Sequence, residues 1–369
     1  MKRFSQSEWS FLSLMRAGLW DGTFDSDAFR EVDWESILTI ADQQTMRGVI
    51  GEAILRLPHE MLPRKIRATV AASLMSIEDS NNQMNQLLPR MFRKFSRLGV
   101  HAWLLKGQGV GACYPNPLRR QSGDVDIYFH HPEDYDKAYA YFSKRVKATS
   151  DNPETRTLEF CSNEIYIELH GSIVSLLNRR TKRYFSDFLK AYRPDEGRPE
   201  ESLGVVLPPR QFDAVFIFLH LVRHYFGGGI GLRQVSDWMR FLHVNKDQLD
   251  MGCLADDLKR LGMMKIWKVF ASMAVDLLGC PVDSMPFYDE RQKKNGAVIL
   301  RFILDSGNFG QYDERIKSSS SSYFVRRLTA FWGHLQMKLR NFCLFPEESV
   351  YGIPSFIKDG MQRTKNPLS

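Results

Sequence analysis

The sequence predicts an α+β protein, a small mixed β-sheet core flanked by N- and C-terminal helical regions. Three observations predict it. Residues 1–98 carry apolar side chains at helical spacing, and so do those from about 176 onward. Between them, residues 99–175 change to short apolar runs and a period of two. Glycine and proline punctuate the changes, at Gly99 and along 191–210. The 369 residues divide on this basis into a helical region 1–98, a mixed core 99–175, a helical region 176–317 that completes a cleft, and a basic, aromatic helical tail 318–369. With 43% hydrophobic and 25% charged residues the chain has a globular composition, which excludes disorder, collagen and a fibrous coiled coil as its main state.

In chain order, Trp9, Leu12, Met15 and Leu19 form a first helical stripe. Trp34, Ile37, Leu38 and Ala41 form a second, with Asp33 as its N-cap. Pro63 to Leu98 is a long helical pattern that Pro89 should kink or split, with Asn81, Asn82 and Asn85 as weak helix formers inside it. Val100 to Leu105 has strand length, and Asp124 to Phe129 alternates strictly. Pro132 to Val146 is helical, with Tyr135, Ala138 and Phe142 on one face. Thr155 to Phe160 and Ile165 to His170 read as strands joined by a hairpin turn at Cys161–Glu164. The segment 191–210 reads as a connecting loop, Phe212 to Phe226 as a buried helix stopped by Gly227–Gly229, and Leu232 as the start of the next. Ser318 to Ser322 reads as an exposed linker.

Several function classes drop out. No apolar run approaches the roughly 20 residues of a membrane span, and the Met-Lys-Arg-Phe start lacks the apolar stretch of a signal peptide, so a cytoplasmic protein is expected. The five cysteines are odd in number and widely spaced, which disfavours a disulfide framework or a zinc knuckle. A net charge of +7 admits anionic ligands without demanding nucleic acid.

The chemistry concentrates in Leu104 to Phe129, LLKGQGVGACYPNPLRRQSGDVDIYF. On a strand, Asp124 and Asp126 project from one face while Val125 and Ile127 point into the core. Two like charges so close are tolerated when a divalent cation neutralises them, and oxygen donors suit magnesium or manganese. Glu168 and His170 share one face of a second strand; beside the first, Glu168 becomes a third carboxylate. Three carboxylates can hold two cations about 4 Å apart, the clamp of phosphoryl transfer. The bland alternative is a solvated strand with alternating acids.

Before the acids, Lys106-Gly107-Gln108-Gly109 follows a strand and opens a short helix expected at Val110 to Tyr114. Glycines there let backbone N–H groups approach phosphate oxygens, though they also suit any tight turn. Lys106 either neutralises a triphosphate or pairs with Asp124 or Glu168. Arg120 is the arginine expected to reach a phosphate, with a solvated loop residue as the alternative, and Gly123 lets the chain turn before Asp124.

The pattern Lys-Gly, Tyr-Pro-x-Pro, then Arg-x-Ser-Gly-Asp-x-Asp, with Ile-Glu-Leu-His downstream, resembles the uncharacterised nucleotidyltransferase-like family of bacteria, within the polymerase-beta-type nucleotidyltransferase superfamily. A second resembling block is Gly229-Ile230-Gly231-Leu232-Arg233-Gln234 followed by Asp237-Trp238, so the resemblance covers about 100–240 in patches. It implies a nucleotidyltransferase core, with Gly107 and Gly109 matching the turn that holds the triphosphate, Asp124 and Asp126 the metal-binding pair, and Glu168 the third acid. The Gly-Ser usual in the broad superfamily is Lys106-Gly107 here, and the interval to Asp124 is lengthened by the Tyr-Pro-rich loop.

The expected activity is then metal-dependent transfer of a nucleoside monophosphate from a nucleoside triphosphate to an acceptor hydroxyl on a small molecule, glycan precursor, protein or RNA. His170, His220, His224, Arg233 and Asp237 are the candidate acceptor pocket, with Asp237 orienting Arg233 one helical turn away. His220 and His224 have metal-ligand spacing but lack the Glu of H-E-x-x-H, so pocket or core roles are favoured. Tyr323 to Phe345 mixes aromatic and basic residues, and either packs on its own domain or contacts an anionic membrane surface. The competing functions are a nucleotide-binding module without catalysis and a basic RNA-binding protein.

Overall fold

A computed structural model describes residues 3–20, 22, 25–173, 179–312, 332–333, 336 and 342–349. The serine run and most of the basic aromatic stretch 323–345 lie outside the described residues.

Four helices come first: α1 (Gln6–Trp20), α2 (Trp34–Gln43), α3 (Arg47–Leu55) and α4 (Arg64–Arg97). Asp33 caps α2 by accepting the Ser36 N–H at 3.0 Å. The mixed region follows as β1 (Trp103–Leu105), α5 (Gly107–Gly111), β2 (Asp124–Tyr128), α6 (Pro132–Phe142), β3 (Ala148–Asn152), β4 (Thr157–Ser162) and β5 (Ile165–His170). The chain then runs through α7 (Arg179–Lys190), a small hairpin of β6 (Arg198–Glu200) and β7 (Val205–Leu207), and five helices: α8 (Arg210–Gly227), α9 (Leu232–Asn245), α10 (Met251–Arg260), α11 (Met264–Leu278) and α12 (Lys293–Ser306).

The five-stranded sheet has the order β1-β2-β5-β4-β3. Its central pair, β2 and β5, is parallel, and the other neighbours are antiparallel. One face carries Leu104, Val125, Ile127, Ile167 and Leu169, which pack with Leu88, Phe92 and Phe95 of α4 and with Ala138 and Phe142 of α6. On the other face Trp103, Leu105 and Tyr128 join a larger core that includes Phe212 and Phe216 of α8. The rest of that second face is polar and stays open, and it becomes the floor of a cavity. The α+β expectation holds: helical layers flank a mixed sheet.

Three local expectations are corrected. Pro89 does not split its helix; α4 runs unbroken for 34 residues, and the Pro89 ring packs close to Gly204, where an added Cβ would come within 2.8 Å of it. The N-terminal half of α4 supplies Ile66, Val70 and Leu74 to the larger core, and its C-terminal half serves the sheet. The segment 191–210 is more than a loop, because β6 pairs with β7 inside it. The short helix after β1 begins at Gly107 rather than Val110. Among the described residues, no helix is long and apolar enough to cross a membrane.

Candidate active site

β2 and β5 are in register with Asp126 opposite Glu168 and Tyr128 opposite His170. Because side chains alternate along a strand, Asp124, Asp126, Glu168 and His170 all rise from the face away from the α4–α6 layer. The hairpin extends the row. Its two-residue turn has Asn163 and Glu164 at φ 50° and 65°, the backbone a tight hairpin requires. That turn sets Glu159 opposite Glu168 and Thr157 opposite His170.

These residues line a cavity of about 590 Å³ roofed by α8 and the start of α9. Ligand atoms of Asp126, Glu168 and His170 lie within 4.8 Å of one another, the group with metal-binding geometry among the described residues. His170 Nε2 is 3.1 Å from Asp126 Oδ1 and 3.2 Å from Glu168 Oε2. Lys106 Nζ is 3.1 Å from Asp126 Oδ2 and 3.3 Å from a ring nitrogen of His220. Asp124 lines the same cavity but is not in the 4.8 Å group. Lys106 therefore pairs with Asp126 rather than with Asp124 or Glu168.

Lys106 is held unusually. Its backbone sits at φ 50°, ψ −135°, a region that non-glycine residues rarely occupy and that costs of order 1–3 kcal/mol. Gly107 follows at φ +44°. The two together turn the chain sharply out of β1, so that Lys106 faces the acids. Gly109 answers to packing: a Cβ there would lie 2.5 Å from the Leu207 side chain, so its bare backbone lets α5 press against β7. Gly123 is exposed, and a Cβ there would meet nothing within 4 Å.

The electrostatics follow from this crowding. Burial works against an ionised Asp126, yet Lys106 and His170 hold its carboxyl well below the usual carboxylate range. Asp126 next door pushes Asp124 up, and burial adds to the rise. Burial opposes charging of His170, but its bonds to Asp126 and Glu168 lift its pKa to about 9, so it is an imidazolium at neutral pH. On the roof, burial and then Lys106 depress His220 far below its ordinary value and bring His224 to about 4; both rings are neutral.

Arg120 requires a correction. It was expected to reach a phosphate, but it is buried and each of its guanidinium nitrogens already donates to the protein. Its Nε and Nη2 both donate to Asp237 at 2.7 Å, and its Nη1 donates to Ser122 Oγ at 2.8 Å. Asp237 also accepts the Tyr114 hydroxyl at 2.7 Å, so it does not orient Arg233 as expected. The network continues inward: Ser122 donates to Gln108, and Gln108 donates to Asn81 and Asn85 at 3.1 and 3.0 Å. Asn81 closes the ring by donating to the Arg120 carbonyl at 2.9 Å. The asparagines that weaken α4 as a helix thus tie it to the Tyr-Pro-rich loop.

Arg233 behaves differently. Its Nη1 donates to the Gln121 carbonyl at 3.3 Å, while its buried Nε has no partner. Burial and the nearby Arg120 lower its pKa. Arg223, on the same roof as His220 and His224, also lines the cavity. The cavity therefore has an acidic floor and a basic roof.

Sequence reasoning missed Arg223, Glu159, and the hydroxyl and amide side chains of β3 and β4 that line the cavity. For Glu159 the signal was present, since a two-residue turn at Asn163-Glu164 dictates its place opposite Glu168. Arg223 carries no signal beyond its helical spacing from His220.

No curated protein and no solved structure matches the chain. The family described as uncharacterised nucleotidyltransferase matches residues 30–279, a span that takes in every residue of the cavity wall except Phe309. That match extends over well more than half of the 369 residues, and the chain belongs to the uncharacterised nucleotidyltransferase family.

Proposed function

We propose that this protein transfers a nucleoside monophosphate from a nucleoside triphosphate to an acceptor hydroxyl, in a reaction that depends on a divalent cation. One observation carries the reading: Asp126 and Glu168, in register on adjacent parallel strands, converge with His170 within 4.8 Å inside a cavity whose opposite wall is basic.

The donor set fits a divalent ion. Two carboxylates meet at one point, and their charge is balanced by the protein's own cations, Lys106 and His170. Magnesium or manganese would be held by Asp126 and Glu168, with Asp124 beside them and His170 as a nitrogen donor once it has released its proton. When bound, the ion neutralises triphosphate charge and lowers the pKa of the attacking hydroxyl.

The chain's own residues do the rest. Lys106, paired with Asp126 at 3.1 Å, is the ammonium that would turn to the triphosphate were that carboxylate to hold an ion. Arg233, with spare guanidinium donors, and Arg223 bind the β- and γ-phosphates from the roof. The Gly107 turn brings backbone close to the same oxygens. Glu168 takes the proton of the acceptor hydroxyl. Helices α8 and α9 keep bulk water from the phosphorus. Most of the acceleration then comes from positioning and preorganised charge.

The test supplies purified protein with α-labelled nucleoside triphosphates, magnesium and a cell extract, and follows labelled product and pyrophosphate. The double variant Asp124→Asn, Asp126→Asn keeps its circular dichroism spectrum and loses transfer. Undiminished transfer by a folded double variant rejects the mechanism.

A further inference from the structure

The cavity is chemically divided. Its roof side holds Lys106, Arg223 and Arg233, together with His220 and His224. Its far side, over the outer strands, holds Ser150, Asn152, Thr155, Thr157, Glu159 and Ser172. No lysine or arginine among the described residues lines that far side. Arg156 lies between Thr155 and Thr157 in sequence, yet its guanidinium turns to the opposite side. There it donates to the Pro132 carbonyl at 2.8 Å and to Asp136 at 2.6 Å, and lies over the Tyr135 ring.

From this division we infer that the acceptor is a neutral polyhydroxylated compound, of the sugar or polyol class, seated over β3 and β4. The inference rests on the nucleotidyltransferase reading above. Three features argue for it.

The first is charge. Glu159 and Glu168 face each other across β4 and β5. A phosphate or carboxylate on the acceptor would meet these acids with no lysine or arginine beside it and with the His170 imidazolium already engaged by Asp126 and Glu168, which is costly in a semi-enclosed site.

The second is the partners on offer. Short hydroxyls, and the Asn152 amide nitrogen left over once its oxygen has accepted the Glu154 and Thr155 N–H groups, match sugar hydroxyls.

The third is register. Ser150, Glu159 and Glu168 form one row across three strands, and Asn152, Thr157 and His170 form the next. At roughly 4.8 Å per strand, the rows run about 10 Å outward from the acids, the width of a mono- or disaccharide.

In the reaction the acceptor oxygen bonds to the α-phosphorus as the bond from that phosphorus to the bridging oxygen breaks. Pyrophosphate leaves with the electron pair, and the hydroxyl proton passes to Glu168.

The test gives the full chain α-labelled triphosphates and magnesium, with three acceptor sets: neutral mono- and disaccharides with alditols, the same sugars as phosphates, and an RNA oligomer. Label is expected in the neutral set. With the labelled neutral compound, Asn152→Ala and Thr157→Val each raise the acceptor KM about tenfold, the loss of about one hydrogen bond, while the triphosphate KM stays put and Thr157→Ser restores the parent value. Glu159→Lys shifts preference toward the sugar phosphates.

Transfer chiefly to the phosphorylated sugars or RNA overturns the inference, as does an acceptor KM unmoved in both variants. Triphosphate binding by calorimetry with no transfer to any neutral compound also overturns it while sparing the nucleotide site. A protein that binds no triphosphate fails the underlying reading, and the inference falls with it.

Discussion

Two clusters in this molecule use the same ingredients to opposite ends. Around Asp237, a carboxylate meets Arg120 through two bonds of 2.7 Å and a tyrosine hydroxyl through a third. Around Asp126, a carboxylate meets Lys106 and His170 at 3.1 Å each. The first cluster is closed. Arg120 is 2% exposed and, although it borders the cavity, each of its three guanidinium nitrogens already donates to a side chain of the protein. The second is open to a cavity, and its cations are an ammonium and an imidazolium, which can move or lose a proton. What separates a structural ion pair from a site is therefore not burial or charge but whether every donor and acceptor is already spent.

The largest expected effect tests that contrast on the open side. Asp126→Asn should lower nucleotidyl transfer by at least about 10³-fold, with a thermal midpoint that stays within a few degrees of the parent. Chelation by EDTA should silence the parent equally, and added magnesium or manganese should restore the parent but not the variant. A variant that unfolds as readily as it loses activity would make Asp126 a second Asp237, and the contrast would be gone.

On the closed side, Arg120→Met strands a buried carboxylate and should cost about 3–5 kcal/mol of stability in urea unfolding. Replacing both partners, Arg120→Met with Asp237→Leu, should recover most of it, since no buried charge is left alone. An Arg120→Met protein of parental stability with a raised triphosphate KM would return Arg120 to the phosphate role.

Asp213 sharpens the comparison from the middle. It pairs with Arg198 at 3.2 Å through one oxygen, and its other oxygen is buried without a partner. Burial outweighs Arg198 and pushes this carboxyl up to about 7. Between pH 4 and pH 7 the folded protein thus holds a proton that the unfolded chain has released. This contribution is whole below about pH 4 and is lost as the pH rises toward 7, by about 4 kcal/mol. Asp213→Asn should therefore gain stability relative to the parent as pH rises through that window. A relative loss would show that the Arg198 pair outweighs the missing bond.

How much of this was legible in the sequence depends on range. The acids at Asp124, Asp126 and Glu168, and the turn at Lys106-Gly107, are encoded within short segments whose strand period fixes the facing of each side chain. Parallel pairing of β2 with β5 then needed only one assumption to bring Asp126 beside Glu168. Partner choice over long range was not legible. Asp237 lies one helical turn from Arg233, and sequence logic pairs them, but the tertiary fold delivers Arg120 and Tyr114 to Asp237 first. Asn81 and Gln108 look like weak helix formers or turn residues until the loop they bind is in place. Pro89 reads as a breaker, yet the packing on both sides of α4 carries the helix through it.

The smallest effect bears on the residue that chain spacing misassigned. Arg233 is half-buried where Arg120 is fully buried, and it keeps an unpartnered Nε and makes a single long bond to the Gln121 carbonyl. If spare donors mark a binding group, Arg233→Gln should raise the triphosphate KM about tenfold, equivalent to about 1.4 kcal/mol, and leave kcat and unfolding free energy near their parental values. Competition by inorganic tripolyphosphate should weaken in the same ratio. Arg233→Lys should recover part of the loss, because it restores the charge without the planar fork. A loss of stability comparable with Arg120→Met, at an unchanged triphosphate KM, would instead show that the Gln121 contact is what Arg233 is for, and that an unspent donor does not by itself distinguish a site from a strut.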